Sequence, residues 1–170
     1  MILNTLIFVI CSAIGYFMAQ EYKCRVVNLQ SFLDGLKKLE DEILYRKTPL
    51  PEALKNVSEE KDNNAAKYLF SNVSLNLGEN GNHNFANIWS RYSVNLDKDF
   101  ALKENDIHII SELGRGLGST DAYGQSAVIQ RACKQLESQL DEAVEANNTK
   151  GKMYKSLGIA VGLTIVIILI

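Results

Sequence analysis

The residue types most able to do chemistry in this chain are a glycine-rich run, two histidines, a row of carboxylates and three cysteines. Gly114-Arg115-Gly116-Leu117-Gly118 could bring backbone N–H groups close to a phosphate. A dinucleotide-binding turn needs G-x-G-x-x-G between a strand and a helix, and a P-loop needs a lysine beyond its last glycine. The run has neither, so it reads as the end of a helix followed by a turn. His83 lies in an Asn/Gly-rich turn, and His108 has no His or Cys at metal-ligand spacing. His108 is four residues from both Glu104 and Glu112, the separation of an i,i+4 contact on a helix. Glu40, Asp41 and Glu42 are consecutive. On a helix they point about 100° apart and cannot converge as an acid–base pair. Glu40 shares a side with Ile43 and Leu44. Cys11, Cys24 and Cys133 form no C-x-x-C pair, and Cys133 sits beside an apolar stripe as a small core residue. No serine stands in G-x-S-x-G. No catalytic residue, metal site, cofactor or small-molecule substrate is expected.

The elements that would position these residues follow from the distribution of charge. The chain has 170 residues, 46% of them hydrophobic and 22% charged. Every Lys, Arg, Asp and Glu lies between Glu21 and Lys155. Residues 1–20 would form a helix about 30 Å long, enough for a bilayer core. They lack the basic start and small-residue cleavage site of a signal peptide. Residues 153–170 supply a second apolar helix, in which Tyr154 can sit at headgroup level and Lys155 can snorkel outward. Lys23 and Arg25 follow the first span, and Lys150, Lys152 and Lys155 precede or open the second. The positive-inside rule then predicts a cytoplasmic middle with both termini outside. With these five and Glu21 set aside, 13 of the 18 basic and 19 of the 20 acidic residues remain, a net charge of −6. The body is therefore acidic, which gives no reason to expect nucleic acid.

The middle, residues 21–152, reads as helical almost throughout. Leu29, Phe32, Leu36, Leu39 and Ile43 recur in steps of three and four and continue the first span. Thr48-Pro49-Leu50-Pro51 stops that helix, with Pro51 at the first position of the next. Leu50, Ala53, Leu54 and Val57 mark a second helix. Ala66, Leu69, Phe70, Val73 and Leu77 mark a third, ended by Gly78-Glu79-Asn80-Gly81-Asn82. Phe85, Ile88, Trp89, Tyr92 and Leu96 mark a fourth. Ile109, Ile110, Leu113 and Leu117 mark a fifth, closed by Gly118. Ser119, Thr120 and Asp121 are N-cap candidates for a sixth. Its stripe, Ile129, Ala132, Leu136, Leu140 and Ala143, meets no proline before the chain ends. The expected fold is all-α: a six-helix cytoplasmic bundle flanked by an N-terminal and a C-terminal transmembrane helix. Gly15 with Ala19, and Gly158 with Gly162, form small-residue faces at four-residue spacing that allow close membrane-helix packing, within one chain or between two.

Three stretches carry a family resemblance. Leu39-Glu40-Asp41-Glu42-Ile43-Leu44-Tyr45, continuing through Thr48-Pro49-Leu50-Pro51-Glu52-Ala53-Leu54, is one. Leu113-Gly114 and Leu117-Gly118 followed by Asp121 and Gln125 form another, and Lys152-Met153-Tyr154-Lys155-Ser156-Leu157-Gly158 the third. Together with Trp89, their order over the whole length resembles the stage III sporulation protein AB family of endospore-forming bacteria. Two positions depart from it. Tyr22-Lys23-Cys24-Arg25 lacks the Pro-Arg pair that often follows the first span, and Arg46 stands where glycine tends to follow the tyrosine.

The resemblance implies a place in the mother-cell membrane facing the forespore, within a channel-like complex joining the two cells. It also implies a soluble domain similar to the cytoplasmic domains of the inner-membrane platform protein of type II secretion and type IV pilus systems. The function expected is a non-enzymatic scaffold whose partners are the complex's cytoplasmic ATPase, other membrane components and the lipid bilayer. Glu40, Glu42, Tyr45, Thr48, Pro49 and Pro51 at one helix junction, and Gly114, Gly118, Asp121 and Gln125 at another, are the candidate partner-binding residues. The alternatives are a membrane-tethered adaptor or sensor, and a small membrane enzyme using the glycine run for phosphate.

Overall fold

The computed structural model describes residues 2–59, 64–79 and 84–168, and every element among them is helical. The elements are α1 (Ile2–Leu44), α2 (Leu50–Ser58), α3 (Ala65–Glu79), α4 (Phe85–Ser93), α5 (Leu96–Phe100), α6 (Glu104–Gly116) and α7 (Ala122–Ala146). A π-helical turn (Asn147–Gly151) and α8 (Lys152–Ile168) follow. The chain divides into two compact units, one of residues 27–140 and the other of residues 1–26 with 141–170.

In the unit of residues 27–140, the α1 stripe predicted from spacing is the spine of the core. Leu29, Phe32, Leu36 and Leu39 are fully buried, because steps of three and four keep them on one face of a 3.6-residue helix. Leu54, Leu69, Phe70, Trp89, Ile110 and Ile129 complete that core from the other helices. Phe70 meets Phe32 edge-on at 6.1 Å and Trp89 at 5.9 Å between ring centroids. Helices α2, α3, α4 and α6 pack in succession, each on the next.

Local chemistry explains most of the boundaries. Pro51 occupies the second helical position of α2 rather than the first, still inside the turn whose N–H groups have no helical partner. The Asn64 side chain accepts the Lys67 amide and caps α3, and Asn84 accepts the Ala86 amide and caps α4. Asp106 accepts the Lys103 amide at 2.9 Å in the first turn of α6, where negative charge suits the helix dipole. The expected end of α3 at Asn80–Asn82, and His83 beyond it, lie outside the described residues.

The six segments expected from periodicity are all helical, but the fourth is shorter than its pattern. Leu96 continues the spacing from Tyr92, yet α4 stops at Ser93 and Leu96 opens the separate five-residue α5. The Asn95 side chain donates to the Arg91 carbonyl at 3.2 Å, a local bond that competes with helix continuation. Ala101, at φ 54°, then ends α5. Asn28 fixes this region from below: its side chain donates to the Phe100 carbonyl and accepts the Ala65 amide.

In the other unit, α1 runs without a break through Tyr22–Arg25 and lies against α8. The Tyr22 and Tyr154 rings stack at 6.0 Å, and buried Arg25 pairs with Glu142 at 3.4 Å. Helix α7, the π turn and α8 form one helical run, Ala122–Ile168, which by length and composition could cross a membrane. Ile14, Phe17, Leu163 and Ile167 are among its large apolar side chains left exposed on α1 and α8.

Candidate functional site

At the C-terminal end of α1, three consecutive carboxylates go three ways. Glu40 turns to α7, where it accepts bonds from Ser126 Oγ at 2.5 Å and Gln130 Nε2 at 2.7 Å. Asp41 stays exposed. Glu42 turns to the chain leaving the helix and is buried. Its Oε1 accepts Arg46 Nη1 at 2.7 Å, and its Oε2 accepts Thr48 Oγ1 at 2.8 Å and Asn56 Nδ2 at 3.2 Å. The Glu42 carbonyl also accepts the Thr48 amide at 2.9 Å. One side chain thus ties the end of α1, the Thr48–Pro49 turn and α2 together. The Thr48 hydrogen bond, helped by Asn56 and the Arg46 charge, holds the Glu42 carboxyl below its ordinary pKa, although its burial opposes this.

The turn itself is strained at one residue. Lys47 has φ 56°, in the left-handed region that glycine favours. Arg46, where the family resemblance expected glycine, is not the residue that takes that conformation. Tyr45 is left 76% exposed, and Pro49 and Pro51 are exposed too.

The second group of candidate residues lies against the first. Gly118, at φ 76°, makes the turn between α6 and α7, and a Cβ on it would lie 3.4 Å from Leu50 Cδ2. Asp121 caps α7 by accepting the Gly124 amide at 2.9 Å, and Gln125 donates to the Thr120 carbonyl at 3.0 Å. The Glu40 bonds to Ser126 and Gln130 clamp the start of α7 to the end of α1. Tyr123, in the first turn of α7, is 77% exposed. Large exposed aromatics therefore stand on both sides of this junction, at Tyr45 and Tyr123.

Gly114 does something else. It is buried inside α6, and a Cβ there would fall 2.0 Å from Trp89 Cδ1. Its missing side chain lets the indole lie on the helix and donate from Nε1 to the Ile110 carbonyl at 2.7 Å. The glycine run is thus the last turn of α6 and the turn after it, with Gly114 against Trp89, Gly116 against Val128 and Gly118 against Leu50.

The remaining candidate residues meet in the unit of residues 1–26 with 141–170. Gly15 and Gly158 are backbone neighbours, Gly162 faces Phe8 and Cys11, and the Ala19 carbonyl faces Gly151. The two small-residue faces, on α1 and α8, meet each other at Gly15 and Gly158.

No cluster of three metal-ligating side chains occurs among the described residues. Glu112 pairs with Arg115 at 2.6 Å rather than with His108, which is exposed. Burial raises the Cys133 thiol to about 11, which leaves it protonated and unreactive near neutral pH.

Sequence reasoning did not single out Asn28, Asp106 or Tyr123. The first two bond mainly to backbone groups, which no side-chain motif announces. Tyr123 has one available signal: an aromatic residue directly after a run of N-cap types, off the apolar stripe.

The family model for stage III sporulation protein AB matches residues 1–170. The curated stage III sporulation protein AB of Bacillus subtilis (strain 168) is 28% identical over 155 residues, covering 91% of this chain and 90% of that protein. A solved structure of a stage III sporulation protein AB superposes with a TM-score of 0.66 at 25% identity, over 74% of this chain and 97% of that one. With a full-length family match and a helical fold in common, the chain belongs to the stage III sporulation protein AB family, and its role lies in sporulation.

Proposed function

We propose that this protein is a non-enzymatic membrane scaffold whose helical unit docks a cytoplasmic ATPase of the same complex, at the junction of α1, α2 and α7. The observation that carries the reading is the exposure of Tyr45 and Tyr123 on chain segments held by the Glu40 and Glu42 bonds. Aromatic side chains on a rigid support lose little entropy on binding and are favoured interface anchors. Anchoring is supported by the apolar side chains that α1 and α8 leave uncovered, and by the length of the run Ala122–Ile168. The basic residues Lys23, Lys150, Lys152 and Lys155 flank these apolar stretches, which favours a cytoplasmic helical unit. By resemblance the membrane is the mother-cell membrane facing the forespore, and the complex is the channel between the two cells.

The test is capture of the complex's ATPase by the full-length protein in detergent. Tyr45→Ala and Tyr123→Ala should each weaken capture by about tenfold or more, as loss of an interface anchor does. Unchanged capture by both folded variants would place the docking surface elsewhere. Carbonate extraction tests the anchoring separately: the protein should stay with the membrane pellet.

A further inference from the structure

Within the unit of residues 1–26 and 141–170, a notch of about 200 Å³ opens between α1 and the π turn. Three lysines line it: Lys23 from α1, and Lys152 and Lys155 from the start of α8. Gln20 and Asn147 add amide groups, and none of the lining residues is acidic. Lys155 Nζ stands 5.4 Å from the centre of the Tyr16 ring, which holds that ammonium at the wall of the notch. The unit's buried cation, Arg25, already has Glu142 as a partner, so the positive charge of the notch is a separate feature.

Three ammonium groups around one opening, with amide donors beside them, match a phosphate oxygen cluster. The surroundings distinguish a tethered phosphate from a free one. Ile159 lies four residues beyond Lys155, and Val9 lies seven before Tyr16. Both spacings keep to the side of the helix that faces the notch, and both side chains are exposed and apolar. A headgroup phosphate seated among the lysines would send its acyl chains along that apolar surface.

We propose that the notch binds the phosphate of an anionic phospholipid headgroup, with Lys23, Lys152 and Lys155 as its cationic wall. This rests on the membrane-anchored reading above and assigns a specific lipid-binding site to it.

The experiment uses the full-length protein in nanodiscs of phosphatidylcholine with and without phosphatidylglycerol. Native mass spectrometry on release counts the phosphatidylglycerol retained. The Lys23→Gln/Lys152→Gln/Lys155→Gln variant is compared with Lys55→Gln/Arg131→Gln/Lys134→Gln, which removes equal charge from exposed positions in the unit of residues 27–140. The expected result is at least a tenfold loss of retained phosphatidylglycerol in the first variant and less than a twofold change in the second. Carrying Lys152→Arg and Lys155→Arg in place of the two glutamine substitutions should recover much of the retention. Equal losses in both variants would mean diffuse surface attraction, and no loss in either would mean no site; each overturns the proposal. Displacement of the lipid by millimolar inorganic phosphate would identify a free anion as the ligand and overturn the lipid assignment. A wild-type protein that carbonate strips from membranes sinks the anchoring and the lipid site together. A protein that resists carbonate but retains no phosphatidylglycerol sinks the site alone.

Discussion

Gly15 and Gly158 meet backbone to backbone: a methyl group added to either would lie within 3 Å of the other's Cα. No larger pair allows α1 and α8 this approach, and a four-residue step on α8 brings Gly162 against the side chains of Phe8 and Cys11.

That geometry places a built Cβ of residue 162 at 3.4 Å from Cys11 Cβ, close to the separation in a disulfide, once the Phe8 ring at 2.9 Å turns aside. Gly162→Cys, with Cys24→Ser and Cys133→Ala, should therefore oxidise to an internally bridged monomer of increased mobility on a non-reducing gel. A covalent dimer as the main product would assign this contact to two chains instead of one.

Gly114→Ala tests the seat of Trp89. The new methyl would overlap the indole at 2.0 Å, and overpacking of this kind costs about 1–3 kcal/mol. The urea midpoint should fall, and Trp89 emission should shift to the red as the ring leaves its buried position. A variant as stable as wild type, with unshifted emission, would show that α6 can move aside freely.

Lys47→Gly should stabilise the protein. Lys47 is exposed and held at φ 56°, and a side chain in that region costs about 1 kcal/mol relative to glycine. Thermal unfolding should occur a few degrees higher. A lower transition would mean that the lysine side chain makes a contact worth more than the strain.

Glu42 should leave a signature in acid. Its folded pKa lies below the ordinary 4.5, first because of Thr48 and then Asn56 and Arg46. Its contribution is therefore complete above pH 4.5 and is lost as pH falls through the lowered value. Glu42→Gln should lower the urea midpoint at pH 7 and flatten the fall in stability below pH 4.5. Parallel pH profiles for the two proteins would show that the clasp is not electrostatic.

Leu29, Phe32, Leu36 and Leu39 were legible because burial on one face of a helix imposes a spacing that sequence alone displays. The Pro49–Pro51 break and the Asp121 cap were legible for a similar reason, since ring closure and side-chain length dictate where those residues can stand. The stop after Ser93 was hidden, because Leu96 keeps perfect phase with Tyr92 while the decisive bond is a local one from Asn95 to a carbonyl. Gly114 was visible only as a flexible residue. That it makes room for Trp89, 25 positions earlier, depends on two helices meeting. Glu40 and Glu42 were placed on diverging faces correctly, but their partners, at positions 126 and 130 and at 46, 48 and 56, became specific only once the chain had folded.

The π turn at Asn147–Gly151 sets the phase of everything after it. A π turn holds one residue more than the α turn it replaces, and each residue rotates a helix by about 100°. The wider turn absorbs that residue within one rotation, so Gly158 and Gly162 reach Gly15 and Cys11 only because the segment is not wound as ordinary α-helix. A one-residue deletion between 147 and 151 would leave an ordinary α turn with the glycine seam still in register, whereas winding the full-length segment as α-helix would rotate that seam by about 100° and turn bulkier side chains towards α1.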